Sequence, residues 1–283
     1  MTDPQLNHLL DRLDQLVERA EQFLPDQHSI DWNAIAFRWQ PPKQLRAIHH
    51  VHAIFLSDLL HIDRQKKSVV NNTRNFLTGL PANHALLWGA RGTGKSSLIK
   101  ALLQEFAQDG LRLVEVDKQD LVNLIDIIDP LRARPERFIL FTDDLSFETD
   151  DPSYKSLKAM LDGSIAATPD NVLIYATSNR RHLMPEYMQD NLEAKHIDGE
   201  LHQGEAVEER ISLSDRFGLW VPFHPFTQKQ YLSTINHWMK AKNIVVKNPQ
   251  QMEKAALQFA LHRGSRNGRV AIQFVNQWAV QAY

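Results

Sequence analysis

The fold of this protein is decided by one stretch, His84-Ala85-Leu86-Leu87-Trp88-Gly89-Ala90-Arg91-Gly92-Thr93-Gly94-Lys95-Ser96-Ser97-Leu98. It opens with an apolar run that is short enough for a buried strand. A glycine-rich segment with the spacing Gly-x-x-x-x-Gly-Lys-Ser follows at residues 89–96, and a helical pattern continues through residues 97–103. A strand, a glycine-rich loop and a helix in this order are typical of a P-loop.

A P-loop binds a polyphosphate by wrapping backbone N–H groups around it, and glycine lets the chain turn that tightly. The helix that follows directs its first N–H groups and the positive end of its dipole at the phosphates. Lys95 adds a positive charge near the β- and γ-phosphates, and the Ser96 hydroxyl is a ligand for Mg²⁺. A chance match in a glycine-containing turn is the alternative, but the flanking strand and helix favour the P-loop.

The composition limits the class of protein. Its 283 residues can form a large core, and 32 Lys and Arg against 34 Asp and Glu give no overall basic field for nucleic acid or a membrane surface. No apolar run approaches transmembrane length and no leader pattern opens the chain, so we expect a cytoplasmic protein without membrane insertion. The absence of cysteine excludes disulfides, thiolate catalysis and thiolate-bound metal.

The region before the P-loop reads mainly as helix. Asp3 and Pro4 open an amphipathic pattern that ends at Pro25, and we favour packing on its own domain over docking to a partner. Residues 25–44 suggest an irregular connector whose tryptophans contact the body, and residues 44–80 are again helical in pattern. Four histidines in that segment have no carboxylate or cysteine at ligand spacing, which favours ordinary helix residues over a metal site: His49, His50, His52 and His61.

Strands and helices alternate after the P-loop, which predicts a parallel sheet. The predicted strands cover residues 110–117, 138–144, 171–179 and 219–223, with helices at 120–128 and 154–165 between them. The Arg132, Arg134 and Arg137 cluster reads as a solvated turn, and residues 185–209 as a polar loop. Three helical patterns close the chain at 228–241, 249–262 and 267–282, which indicates a small helical domain.

Polar side chains stand at the ends of two predicted strands. Asp143 is suited to hold Mg²⁺ from a neighbouring strand, and Asp144 to orient or deprotonate an attacking water. The Asn179 amide can hydrogen-bond both the γ-phosphate and that water. Each is also an ordinary turn residue, but the P-loop favours the functional reading of the two carboxylates.

Taken together, these features resemble the ordered motif set of an AAA+ ATPase over about residues 45–283. The similarity rests on the P-loop, Asp143-Asp144, the segment 176–179, the segment 214–217 and the helical C-terminus. The sequence is also similar to a bacterial family of predicted AAA+ ATPases known as domain of unknown function 815. Members of that family read Ala-Leu-Leu-Trp-Gly-Ala-Arg-Gly-Thr-Gly-Lys-Ser and Ser-Leu-Ser-Asp-Arg-Phe-Gly-Leu at these places.

The resemblance implies a role for each matched residue. Catalytic roles fall on Lys95, Asp144, Asn179 (sensor 1) and Arg216 (the arginine finger), and Mg²⁺ would be held by Ser96 and Asp143. The implied ATP contacts are Leu60, His61, Ile62, Gly89, Ala90, Arg91, Gly92, Thr93, Gly94, Lys95, Ser96, Ser97 and Arg269, the last as sensor 2. Two positions depart from the pattern. Asp144 replaces the usual Glu, which suggests slow turnover, and His61 replaces a commoner Gly beside adenine.

We therefore expect a three-layer α/β fold of the P-loop NTPase (AAA+) type with a parallel sheet. The expected parts are an N-terminal helical extension and connector (1–44), a nucleotide-binding domain (45–225) and a helical lid (226–283). The expected activity is Mg²⁺-dependent ATP hydrolysis that drives remodelling of an unidentified macromolecule.

The resemblance also implies a homo-oligomer, a ring or an open ring, because an arginine finger reaches a neighbour's nucleotide. From the residues alone, an ion pair of Arg216 with Asp215 or Glu209 is the simpler reading. The alternative function is a nucleotide-dependent switch, adaptor or loader with little hydrolysis, for which action at nucleic acid gains no support from net charge. A small-molecule kinase would need an acceptor pocket with its own base, for which no clear candidate is found.

Overall fold

The computed structural model describes residues 30–40, 44–148, 151–162, 169–181, 183, 195–197, 200–202, 213 and 215–281. A seven-stranded sheet in the order β2-β1-β4-β5-β6-β3-β9 lies at its centre. All neighbours in this sheet are parallel except β1 and β2. The strands are β1 Ala36–Gln40, β2 Gln44–Ala47, β3 Ala85–Gly89, β4 Leu111–Glu115, β5 Arg137–Thr142, β6 Val172–Ser178 and β9 Leu219–Phe223; β7 Lys195–Ile197 and β8 Glu200–His202 form a separate antiparallel pair.

Helices cover both faces of the sheet, because its parallel strands are apolar on both sides and each face has its own buried cluster. A third cluster holds the last three helices together as a separate helical unit. The helices are α1 Asp63–Leu77, α2 Lys95–Phe106, α3 Leu124–Arg132, α4 Pro152–Leu161, α5 Gln228–Ala241, α6 Pro249–His262 and α7 Gly268–Gln281, with 3-10 turns at Leu56–Asp58, Ala107–Asp109 and Lys118–Asn123. The prediction of a three-layer α/β fold with a parallel sheet is confirmed.

The prediction was wrong before the P-loop. Residues 36–40, read as irregular connector, form strand β1, which pairs in parallel with β4. Its Phe37 and Trp39 are buried, so tertiary contact outweighs the local signal of the prolines that follow. The sheet therefore begins before the predicted boundary at residue 45. The helix expected from residue 44 begins only at Asp63, after β2 and a 3-10 turn.

The tryptophans of this region do contact the body. Trp39 is buried, and the Trp32 ring lies 5.6 Å from that of Phe37 and 6.3 Å from that of Phe138. The Arg134 guanidinium stacks 4.7 Å from the Trp32 ring centroid and pairs with Glu136 at 2.7 Å. This arginine therefore belongs to a packed turn rather than to a fully solvated one.

Two predictions fall partly or wholly outside the described residues. The amphipathic helix that opens at Asp3 lies outside them. So does most of the polar loop 185–209, although residues 195–197 and 200–202 form the β7–β8 pair, for which a loop had been expected. Within the ranges that the structure describes, no helix is both long and apolar enough to cross a lipid bilayer.

Candidate nucleotide-binding site

The sheet topology brings the polar strand ends together. Strand β6 lies between β3 and β5, so the P-loop after β3, Asp143 and Asp144 after β5 and Asn179 after β6 share one edge. Parallel strands place their carboxyl ends side by side, and ligands of open α/β sheets bind at that edge. The strand order therefore accounts for the convergence of residues that are far apart in sequence.

The P-loop has the backbone conformation that its glycines permit. Gly89 and Gly94 have φ angles of 128° and 103°, which L side chains rarely adopt. A β-carbon on Gly89 would lie 2.0 Å from the Phe223 carbonyl oxygen on the neighbouring strand β9. Thr93 stabilises the loop conformation, because its hydroxyl donates a hydrogen bond to the Ala90 carbonyl at 2.8 Å. The loop is thus preformed, with the start of α2 behind it.

Lys95 is buried at the centre of this loop. Its ammonium donates to the Gly89 and Ala90 carbonyls at 2.7 and 2.9 Å and to Asn179 Oδ1 at 3.1 Å. Burial lowers the pKa of Lys95 to about 8, although the Asp143 and Asp144 carboxylates oppose the shift. The ammonium is therefore held in place by neutral acceptors, in a site that favours an additional negative charge.

Ser96, Asp143 and Thr177 form a second polar group. The hydroxyls of Ser96 and Thr177 both donate to Asp143 Oδ1, at 2.5 Å each. Mg²⁺ prefers hard oxygen ligands and usually combines one or two protein oxygens with phosphate oxygens and water. The Ser96 hydroxyl and the Asp143 carboxylate, adjacent at the phosphate end of the P-loop, fit that requirement.

Asp144 has an unusual backbone conformation, with a φ of 52°. Its N–H donates to the Thr177 hydroxyl at 2.9 Å, and its carboxylate accepts a hydrogen bond from the Asn179 amide. The left-handed conformation is tolerated by Asp better than by most residues, and here neighbours on β6 fix it. The Arg91 guanidinium lies 3.6 Å from the same carboxylate, but both side chains are exposed, so this ion pair contributes little to stability.

A cavity of about 730 Å³ lies between the P-loop and the helical unit. It is lined by most of the predicted ATP and metal contacts: Leu60, Ile62, Arg91, Gly92, Thr93, Gly94, Lys95, Ser96, Ser97, Asp143, Asp144, Asn179 and Arg269. Gly89 and Ala90 are not among its lining residues, but their carbonyls hold the Lys95 ammonium.

Two predicted residues lie elsewhere. His61 has a φ of 62°, the left-handed conformation that favours a glycine at this position. Its ring contacts Phe226 edge-on, and its Nε2 lies 3.0 Å from the Ser233 hydroxyl on α5, so it connects the body to the helical unit. Arg216 pairs with Asp162 at the end of α4 and does not line the cavity. The sequence had suggested an ion pair of Arg216 with Asp215 or Glu209. The structure pairs Arg216 with Asp162 and not with Asp215, and Glu209 lies outside the described residues.

Sequence reasoning missed the side chains that close the cavity from the helical unit and from the segment before α1. These residues come from distant parts of the chain and carry no motif: His52, Ala53, Ile54, Asp58, Leu59, Phe226, Thr234, Trp238, Gly268, Ile272 and Gln273. Only Thr177 could have been found, because it stands at the end of a predicted strand beside Asn179.

Asn267 joins the helical unit to the P-loop. This buried side chain caps α7 by accepting the Val270 N–H at 2.8 Å, and it donates to the Arg91 carbonyl at 3.0 Å. The Arg269 N–H donates to the Gly92 carbonyl at 3.3 Å, which places Arg269 at the rim of the cavity. A β-carbon on Gly92 would lie 2.7 Å from the Asn267 side chain, so this contact also requires a glycine.

A family model described as "Protein of unknown function (DUF815)" matches residues 32–282. The chain belongs to the DUF815 family. A search of curated proteins found no match for this DUF815 protein.

Two solved structures are similar to this chain. The Aeropyrum pernix ORC1 protein, solved in complex with DNA, matches with a TM-score of 0.54 and 13% identity, over 80% of this chain and 60% of that one. The Thermotoga maritima RuvB Holliday junction branch migration motor matches with a TM-score of 0.46 and 14% identity, over 80% and 72%. At 13% identity the likeness to the ORC1 structure concerns the fold alone, which is that of the AAA+ P-loop NTPases.

Proposed function

We propose that this DUF815 protein binds ATP together with Mg²⁺, hydrolyses it to ADP and phosphate, and uses the cycle to remodel a macromolecule. The observation that carries the proposal is one polar cluster at the end of the cavity. Lys95, Asn179 and Asp144 form a connected chain of hydrogen bonds there, beside the Ser96–Asp143 pair. The fold supports nucleotide binding, and the binding, the hydrolysis and the client are all parts of the proposal.

The residues of this chain would catalyse hydrolysis mainly by positioning the reactants and by electrostatic stabilisation of the transition state. The Lys95 ammonium exchanges its Gly89 and Ala90 carbonyls for the β- and γ-phosphate oxygens, and the N–H groups of the loop donate to the same phosphates. Bound Mg²⁺ would neutralise charge on the phosphates, with Ser96 and Asp143 as its protein partners. Asp144 orients the attacking water, while Asn179 is placed to contact both that water and the γ-phosphate.

Two arginines complete the proposed site. Arg269 at the start of α7 lines the cavity and would contact the phosphates from the helical unit. Arg216 lies outside the cavity of its own chain, which supports a role in a neighbour's site and hence a ring or open ring of identical subunits. We further propose a cytoplasmic location and a division into an α/β body and a lid that begins near residue 226.

A nucleotide-dependent switch or adaptor is the second candidate. The observation that favours it is Asp144, whose carboxylate is one methylene shorter than the usual Glu and is already bound by the Asn179 amide. A shorter carboxylate reaches less far toward a water at the γ-phosphate. ATP binding would then set the conformation, and hydrolysis would be incidental.

Two substitutions test the proposal. Lys95→Ala should lose ATP affinity and turnover together, because the phosphate charge is left uncompensated in a closed site, whereas Asp144→Asn should bind ATP and fail to hydrolyse it. Calorimetry measures ATP affinity, and an assay of phosphate release measures turnover. Lys67→Ala, which removes an exposed lysine, is the control for loss of one positive charge.

Each outcome has a clear meaning. Undiminished ATP binding by Lys95→Ala would show that the P-loop is not the ATP-binding element. Parental turnover by Asp144→Asn would show that another group activates water, with Glu148 the next residue to test. Wild-type protein that binds ATP without any turnover would favour the switch. A pull-down with Asp144→Asn, which should hold its client in the ATP state, identifies the macromolecule.

A further inference from the structure

The charge of the chain is divided unevenly between its two parts. Residues 226–283 contain eight Lys and Arg and a single acidic residue, Glu253, so their formal charge is +7. The whole chain has a charge of −2, and the preceding 225 residues therefore carry −9. The near-neutral total hides a strongly basic helical unit on an acidic body.

These basic side chains are all exposed. Among the residues that the structure describes, none of the eight forms an ion pair, and Lys242 alone makes a side-chain hydrogen bond, to Asn276 Oδ1 at 2.9 Å. The eight are Lys229, Lys240, Lys242, Lys247, Lys254, Arg263, Arg266 and Arg269. Their positive charges are thus presented to solvent without compensation.

Helix stability explains only some of these eight cations. A cation stabilises the C-terminal end of a helix and destabilises the N-terminal end. Lys240, Lys242 and Arg263 stand at C-terminal ends, but Lys229 lies in the first turn of α5 and Arg269 in the first turn of α7. Concentrated like charge also destabilises a compact unit through self-repulsion. Arg269 has the proposed nucleotide as its partner, whereas none of the other seven pairs with a carboxylate among the described residues; Lys242 bonds only the Asn276 amide, and Arg263 only stacks on the Phe259 ring.

We propose that the helical unit binds the phosphate backbone of a nucleic acid. A basic surface of this kind attracts polyphosphate through the release of counterions, without a need for base contacts. Five of the eight cations are lysines, which serve as point charges for phosphate but are depleted at protein–protein interfaces. The acidic body of a second copy of this chain is an alternative negatively charged partner. The lysine-rich composition favours nucleic acid over that partner.

One concentration of basic side chains that is separate from Arg269 lies at the end of α5. Lys240, Lys242 and Lys247 fall within eight residues there, in the last turn of the helix and the connection to α6. None of the three lines the nucleotide cavity. Their removal can therefore be tested without disturbing the residues proposed to bind ATP.

The test uses a short fluorescent DNA duplex, a single-stranded DNA and an RNA duplex, titrated with the full chain in the absence of nucleotide. Binding should weaken steeply with salt. The triple substitution Lys240→Glu, Lys242→Glu, Lys247→Glu should lower affinity at least about tenfold and reduce the log–log salt slope for duplex DNA by roughly 2 to 3, since about 0.9 is expected per phosphate contact. Comparison of the three probes shows which form of nucleic acid is preferred.

A matched control has the same change in net charge. Arg46→Glu, Lys67→Glu, Lys155→Glu alters three exposed cations of the body and should leave binding nearly unchanged. Equal weakening by both triples would show a mere net-charge effect and overturn the proposal, as would failure of the parental protein to bind any probe at low salt. If the lysine triple instead breaks self-assembly in sedimentation and leaves probe binding intact, the basic unit docks on the acidic body of a second copy. Because the assay contains no ATP, a failed ATPase proposal would not affect it.

Discussion

At the scale of single residues, Lys95 makes ATP affinity depend on pH. Its pKa of about 8 in the free protein must rise when phosphates approach, because they stabilise the charged form. Well below pH 8 the ammonium is charged in both states, so this group has almost no effect on affinity. Above pH 8 binding must take up a proton, and affinity should fall with rising pH. Calorimetry in buffers of different ionisation enthalpy would detect the proton at a pH above that value. Lys95→Arg, which stays charged, should show no such uptake, and a wild-type affinity that is level across this range would contradict the assignment.

At the scale of secondary-structure elements, Asn267 couples helix α7 to the P-loop. Asn267→Ala should lower the free energy of unfolding by about 1 kcal/mol through loss of the helix cap, and should also weaken ATP binding because Arg269 is no longer held at the cavity. Asn248 caps α6 in the same way and has no contact with the P-loop, so Asn248→Ala is the matched control. Denaturant titration gives the stability, and calorimetry gives the affinity. Asn267→Ser, which keeps a capping oxygen but loses the amide donor to Arg91, should retain most of the stability and still bind ATP weakly. Wild-type ATP affinity in the serine variant would show that Asn267 acts only as a helix cap.

At the scale of the whole molecule, Arg216 tests whether the protein acts as an assembly. ATPase activity per subunit should rise with protein concentration, and Arg216→Ala should lower turnover about 10³-fold or more with binding nearly intact, as expected for an arginine finger. Subunits with Arg216→Ala keep a sound P-loop and subunits with Lys95→Ala keep a sound finger, so mixing the two inactive proteins should restore part of the activity. Asp162→Asn is the control for the ion pair within the chain, and it should retain activity if the finger acts on a neighbour. Absence of rescue in a mixture that co-sediments would refute action between subunits.

The sequence by itself determined the P-loop, the buried strands β3, β4, β5, β6 and β9, and the three final helices. Each depends on local pattern: glycines that permit left-handed turns, short apolar runs, and apolar residues at helical spacing. The sequence could also place Asp143, Asp144 and Asn179 together, because the carboxyl ends of parallel strands share one edge of the sheet. The observed strand order β5-β6-β3 agrees with that expectation.

Only the tertiary structure decided the rest, because it depends on contacts between segments far apart in the chain. Strand β1 joins the sheet through its pairing with β4, although its local sequence resembles a connector. His61 turns toward the helical unit, and Arg216 finds Asp162, both through long-range packing. Trp238 reaches the cavity for the same reason. The basic charge of residues 226–283 was present in the sequence, but it became a surface once folding separated the helical unit from the acidic body and left its lysines exposed to solvent.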